Sequence, residues 1–157
     1  MKIRSDRLGE ISVEARDVLV APDGLPGFPG PRRFHLVRIA EDDPVIWLQD
    51  AEDSELSLPV IDPGTIVLEY GPEVPDSELQ ALGVEDTGDL QYLLVLVIPS
   101  DPAGVTINLR APIAINESRR IVRQIILDDE AYPVRYLLFR EPEDATGTGG
   151  KTDAHSI

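Results

Sequence analysis

Proline and glycine set the limits of what this chain can fold into. Fourteen prolines and twelve glycines recur at short intervals through its 157 residues. Proline breaks the helical hydrogen-bond ladder and glycine loosens it, so long helices are excluded. Between the breaks lie short runs rich in Val, Ile, Leu and Tyr, the composition of strands. The runs predicted as strands are 2–5, 10–13, 18–20, 34–40, 45–49, 58–61, 65–68, 91–98, 105–109 and 113–116. Many short strands at roughly even spacing point to the all-β class, an antiparallel sandwich or barrel.

Three segments sharpen that reading. Residues 91–98 are almost uniformly apolar, which predicts a central strand covered on both faces. In 34–39, His35, Val37 and Ile39 fall on one face and Phe34, Leu36 and Arg38 on the other, the mixed pattern of a strand covered on both sides at one end. The stretch 119–127 carries apolar residues at a helical spacing, but Ile and Val dominate it. With Asn116-Glu117-Ser118 as a turn before it, it reads as a strand pairing back onto 113–115. One short helix stands out in Pro75-Asp76-Ser77-Glu78-Leu79-Gln80-Ala81-Leu82-Gly83. An Asp or Ser cap, early acid and terminal glycine frame two turns whose buried edge is Leu79 and Leu82. Residues 1–140 thus form one domain. Residues 141–157, rich in Gly, Thr, Asp and Glu, form an acidic tail too polar to offset its ordering entropy and predicted to be disordered.

Charge is distributed unevenly. Residues 41–109 hold sixteen Asp and Glu and no Lys, Arg or His, while the flanking segments are close to neutral, so this stretch carries the whole net charge of −15. Free nucleic acid is a poor partner for such a chain, because binding it requires neutralising phosphates. A basic protein surface is a suitable one; the same excess also serves solubility alone. The chain has no cysteine, which excludes disulfides and thiolate chemistry, and its two histidines, His35 and His155, are too few for the usual zinc, haem or triad sites. No apolar run approaches the ~20 residues of a membrane helix, and the first residues lack a signal-peptide core, so a cytoplasmic, membrane-free protein is expected.

The apparent chemical motifs are weak. Gly149-Gly150-Lys151-Thr152 resembles the end of a phosphate loop, but neither the strand before it nor the helix after it is present in the pattern. Asn116-Glu117-Ser118 matches a glycosylation sequon and reads as a turn. Asp128-Asp129-Glu130 reads as solvated loop charge, or else as a hard-metal site or catalytic carboxylates. Asp42-Asp43 before Pro44 is a turn. The rigid loop 24–31 either displays Leu25 and Phe28 or tucks Phe28 into the core. Trp47, the sole tryptophan, reads as a core residue or as an interface anchor, and His35 as a strand residue with an ordinary hydrogen bond. No nucleophile, base and orienting group come together, so no enzyme, cofactor or metal is expected.

The order and spacing of several segments resemble the bacterial flagellar assembly factor FliW family. They are Gly24-Leu25-Pro26-Gly27-Phe28, Phe34, Trp47-Leu48-Gln49, Asp62-Pro63 and the helix ending at Gly83. After them come Val105-Thr106-Ile107-Asn108-Leu109-Arg110-Ala111-Pro112-Ile113, Ile115-Asn116, Gln124, Leu127-Asp128-Asp129 and Tyr132-Pro133-Val134-Arg135. The resemblance spans about residues 1–139. It departs from the family at Leu56 or Leu58, where an aromatic is often found, and at Tyr136, where histidine is common. What it implies is a small antiparallel β-barrel acting by partner switching. Such proteins bind and antagonise CsrA, a small basic RNA-binding regulator of translation, beside its RNA site, and they bind flagellin, coupling flagellin level to its translation. Within that reading Asp62, Glu69, Tyr70, Glu73, Asp76 and Glu78 are candidates for an acidic docking face. Asn108, Asn116, Tyr132 and Arg135 are candidates as polar members of the family-like motifs, or else serve turns and strand ends. The alternatives are a flagellin-binding chaperone that never meets a regulator, and a small metal- or nucleotide-dependent enzyme on a β-barrel.

Overall fold

In a computed structural model, which describes residues 1–66 and 69–139, the short apolar runs become strands wherever proline, glycine or Asx turns release them. The strands are Lys2–Ser5 (β1), Gly9–Ser12 (β2), Leu19–Ala21 (β3), Gly24–Leu25 (β4), Phe28–Pro29 (β5), Arg32–Val37 (β6) and Val45–Asp50 (β7). Ser57–Ile61 (β8), Gln91–Val97 (β9), Thr106–Ile107 (β10), Ile113–Asn116 (β11), Ile121–Gln124 (β12) and Tyr136–Leu137 (β13) follow. One sheet runs β11-β12-β3-β6-β7-β8-β9, and pairing of β9 with β11 closes it into a seven-stranded barrel. Its ladders are antiparallel except at the β12–β3 seam, which is parallel. The chain is therefore a mainly β protein with the expected barrel and a single α-helix among the described residues.

β9 forks the wall. Along one edge its first half pairs with β11 (Leu93 opposite Ile113) and its second half with β10 (Leu96 opposite Ile107), and β13 adds outside β10. Its double cover is visible in its side chains. Leu93 joins the barrel core with Phe34, Leu48, Val60, Ile113 and Val122, while Leu94 and Leu96 join a second core with Ile61, Ile107 and Leu109. A third core lies outside the barrel, where Leu82 of the helix packs with Ala114, Ile125 and Leu127. The strand within 119–127 pairs with β11 as expected, Ile115 opposite Val122.

The hairpin β4–β5 explains its glycine. Gly24 has φ +75°, and a Cβ there would stand 2.2 Å from the Phe28 carbonyl oxygen. Leu25 is buried and Phe28 packs against the barrel core, with the Arg32 guanidinium over its ring. Trp47 is buried, beneath the guanidinium of Arg7 at 5.0 Å from the ring centroid.

The helix Asp76–Leu82 (α1) ends on Gly83 in the left-handed region and buries Leu79 and Leu82, as expected, but the expected Asp or Ser side-chain cap is not made. Pro75 is the cap residue, and its carbonyl accepts from Glu78 and Leu79 N–H. With φ preset and no N–H of its own, the proline starts the helix one residue before Asp76, which falls inside the first turn. The expected strand at 65–68 is corrected at its first two residues. Pro63–Ile66 is a 3-10 turn, because Asp62 Oδ1 accepts from Gly64 N–H at 2.8 Å and the Asp62 carbonyl from Thr65 N–H. Asx-turn chemistry outweighs the β-branched run there; Val67 and Leu68 lie outside the described residues, as does the tail from 141 onward. No helix among the described residues is long and apolar enough to cross a membrane.

Candidate functional site

The segment before α1 and the segment leaving β12 meet in a groove of about 570 Å³. Glu73, Val74, Pro75 and Asp76 line one side, Leu127, Asp128 and Asp129 the other, with Tyr132 between them. Four carboxylates and no cation line it. A second depression beyond Gly83 is lined by Glu85, Asp89 and Glu117, again without a cation. The two depressions thus join acids of the base-free stretch, Glu73, Asp76, Glu85 and Asp89, to acids from beyond it, Glu117, Asp128 and Asp129. Carboxylates that outnumber the nearby cations, here the single Arg110 bound to the carbonyls of the 128–132 turn, produce a net negative field felt over about a Debye length of ~8–10 Å.

Behind the groove stands a frame whose polar groups are paired internally, with one exception, the buried Tyr92 hydroxyl, which has no hydrogen-bond partner among the described residues. The Tyr70 hydroxyl donates to the Leu109 carbonyl at 2.6 Å, and its ring meets those of Tyr92 and Tyr132 edge-on at 5.6 and 5.3 Å. Burial, then the neighbouring Tyr132 and Tyr92, push its pKa well above the ordinary tyrosine value, so it remains a phenol. Asn108 Oδ1 accepts from Arg110 and Ala111 N–H, ending β10. Arg110 in turn donates from Nε to the Tyr132 carbonyl at 2.8 Å and from Nη2 to the Glu130 carbonyl, tying down the 128–132 turn. Asn116 is buried, and its Nδ2 donates to the Leu82 carbonyl at 2.8 Å, holding the C-terminus of α1.

The ten candidate residues therefore separate. Glu73, Asp76 and Tyr132 come together in the groove, with Tyr70 packed against Tyr132. Glu69 is exposed just ahead of Tyr70. Glu78 is neutralised, its carboxylate 2.5 Å from Arg123 Nε, while Arg123 also pairs with Asp23. Asp62 serves its turn, Asn108 and Asn116 serve the frame, and Arg135 is exposed. Asp128 and Asp129, read from sequence as loop charge or metal ligands, are groove residues. Asp129 Oδ1 caps Ala131 N–H, and among the described residues no three His, Asp or Glu are grouped to hold a metal. Their facing of Glu73 and Asp76 spans about fifty residues of chain, for which the sequence carries no local signal.

One expectation fails at the other side chain of interest. His35 is buried, but its Nε2 has no hydrogen-bond partner among the described residues. Burial lowers its pKa, with Asp17 opposing and Arg120 adding to the shift.

Comparison with known proteins converges on one family. The family model described as FliW protein matches residues 2–138. The flagellar assembly factor FliW of Thermotoga neapolitana is 39% identical over 144 residues, 91% of this chain and 97% of that protein. That of Thermotoga maritima is 41% identical over 138 residues, 87% and 93% of the two. A crystal structure of the flagellar assembly factor FliW superposes with a TM-score of 0.82 at 28% identity, covering 90% of this chain and 99% of that one.

Proposed function

The chain belongs to the FliW family of flagellar assembly factors, and from that premise we propose that it is a non-catalytic cytoplasmic docking protein that binds and antagonises CsrA and also binds flagellin. Flagellin that has not been secreted then draws it away from CsrA, and flagellin translation falls. The observation that carries this reading is the acidic groove, where Glu73, Asp76, Asp128 and Asp129 converge with no cation in the lining. A basic regulator is steered onto such a face, and once it is bound the same charge repels phosphate backbone from its neighbourhood.

Flagellin binding draws support from a different surface. Val97 of β9 and Leu137 of β13 both stand opposite Thr106 of β10, so the three side chains share one face of the forked wall. Val97 is 58% exposed, Leu137 on the same face is exposed too, and Phe139, also exposed, follows two residues after it. An apolar strip of this kind suits the amphipathic terminal helices of flagellin.

The test is a three-component competition. The complex with CsrA is formed first, flagellin is added, and CsrA release is followed together with its return to RNA. Release in proportion to flagellin is expected. Binding of flagellin with no CsrA complex at micromolar concentrations would leave a flagellin chaperone in place of a switch.

A further inference from the structure

β6 is paired unequally on its two edges. Toward β7 its ladder runs from Phe34 to Val37, whereas toward β3 it stops at Phe34, opposite Leu19. Main-chain groups in an antiparallel ladder alternate between the two edges. Ala51 N–H donates to the Arg33 carbonyl at 2.8 Å, so Arg33, His35 and Val37 turn their groups toward β7 and Leu36 turns its N–H and C=O the other way. The register would place Asp17 opposite Leu36. Asp17 instead closes a 3-10 turn, donating its N–H to the Glu14 carbonyl at 3.0 Å and accepting Arg120 Nη2 on its own carbonyl at 2.5 Å. No described segment pairs with Leu36 on that edge.

A cleft of about 560 Å³ opens at this place, sharing no residue with the acidic groove. Two buried nitrogens at it lack hydrogen-bond partners among the described residues, His35 Nε2 and Arg120 Nε, and His35 is 98% buried, with a relative exposure of 2%. Such atoms are costly unless something pairs with them. Arg38 and Arg120 balance Glu14 and Asp17 in the lining, where the other two depressions carry acids alone. Ile11, Val13 and Val37 supply apolar wall, and Leu36 is 38% exposed.

We propose that this cleft receives an extended peptide strand of a partner protein, which pairs with the main chain of Leu36 and seats an acidic side chain on His35 Nε2 and Arg120 Nε. Strand addition supplies affinity through the backbone, and the paired nitrogens supply the choice of a carboxylate. Arg120 is the only described non-glycine residue with positive φ, at 56°, and this conformation carries its guanidinium to the Asp17 carbonyl at the cleft. The site is independent of the acidic groove, so its failure leaves the reading of CsrA binding untouched.

The test titrates the ¹⁵N-labelled full chain with a blocked hexapeptide in which valine and glutamate alternate. Two comparison peptides are a blocked valine–lysine hexapeptide and a valine–threonine hexapeptide with a free carboxyl terminus. The glutamate peptide alone is expected to shift the amides of Leu36, Arg38 and Arg120 and to slow exchange of the Leu36 amide. Arg120→Gln and His35→Phe should each weaken binding about tenfold. Leu36→Pro should weaken it similarly while leaving the β6–β7 ladder intact, because the N–H it removes faces the open edge; an unchanged unfolding midpoint verifies the fold. The proposal is overturned by no shifts at millimolar peptide, by equal binding of the lysine peptide, by equal binding of the free terminal carboxylate, or by full binding to folded Leu36→Pro.

Discussion

The groove between residues 73–76 and 127–132 and the cleft beside β6 hold opposite balances of charge and hydrogen bonding. Around the groove Tyr70, Asn108, Arg110 and Asn116 spend their polar groups on internal carbonyls and amides, and the unpartnered Tyr92 hydroxyl lies buried behind Tyr70 and does not line the groove. What lines the groove itself is four carboxylates, a net negative charge that Arg110 behind the turn offsets only in part. In the cleft two cations face two anions, and what remains open is the hydrogen-bonding capacity of His35, Arg120 and the Leu36 main chain. A field acts across ~8–10 Å and tolerates poor fit, whereas a hydrogen bond acts only near 3 Å and demands it. The first region is suited to attracting and orienting a partner, the second to discriminating among partners already close.

This contrast breaks first on stability. If the groove rests on a satisfied frame, removing a frame group must cost more than reversing a groove charge. Asn116→Ala leaves the Leu82 carbonyl at the end of α1 without its donor, and strips Arg119 N–H of its acceptor. A loss of about 2–3 kcal/mol in urea unfolding is expected. Reversal of Glu73 and Asp76 to lysine should move stability by no more than about 1 kcal/mol, chiefly through the lost first-turn acid of α1. The same double reversal should slow association with CsrA about tenfold, and raised salt should slow the wild type similarly. An association rate insensitive to both changes would remove steering from the groove. Below the Asn116→Ala loss lies Tyr70→Phe, which deletes the bond to Leu109 but keeps the ring contacts with Tyr92 and Tyr132. About 1 kcal/mol is expected by the same measurement.

What was legible in the sequence follows from how local each cause is. α1 and its Gly83 terminus are written within nine residues, and the double cover of β9 is written in the unbroken run 91–98. The return of β12 onto β11 needed only the turn between them. The start of the run, Thr65 and Ile66, misled because a single Asp62 carboxylate reorganises the turn that follows it. Asn116 was visible as a polar residue in a family-like motif, yet its partner, the Leu82 carbonyl, lies 34 positions away. The groove joins segments about fifty residues apart, and the cleft exists because β3 ends before β6 does. Closure of a barrel decides both, and closure leaves no mark on any short window of sequence.

The smallest expected effect separates the two regions by pH. Burial holds the folded-state pKa of His35 below its ordinary 6.5, Arg120 adds to that shift, and Asp17 opposes it. The unfolded chain therefore takes up a proton near pH 6.5 while the folded chain still resists it, so stability is fully present above 6.5 and declines as pH falls toward the lowered folded value. Ordinary carboxylates titrate near pH 4, and Tyr70 and Tyr92 near the groove are shifted upward, away from this window. Urea unfolding at pH 7.5 and 5.8 should thus show a modest loss in the wild type that is smaller in His35→Phe. Asp17→Asn removes the opposing charge and should steepen the wild-type loss. A gain in stability on acidification would mean that Asp17 outweighs burial at His35; the cleft would then gain a third cation, and its difference from the groove would be one of sign rather than of hydrogen bonding.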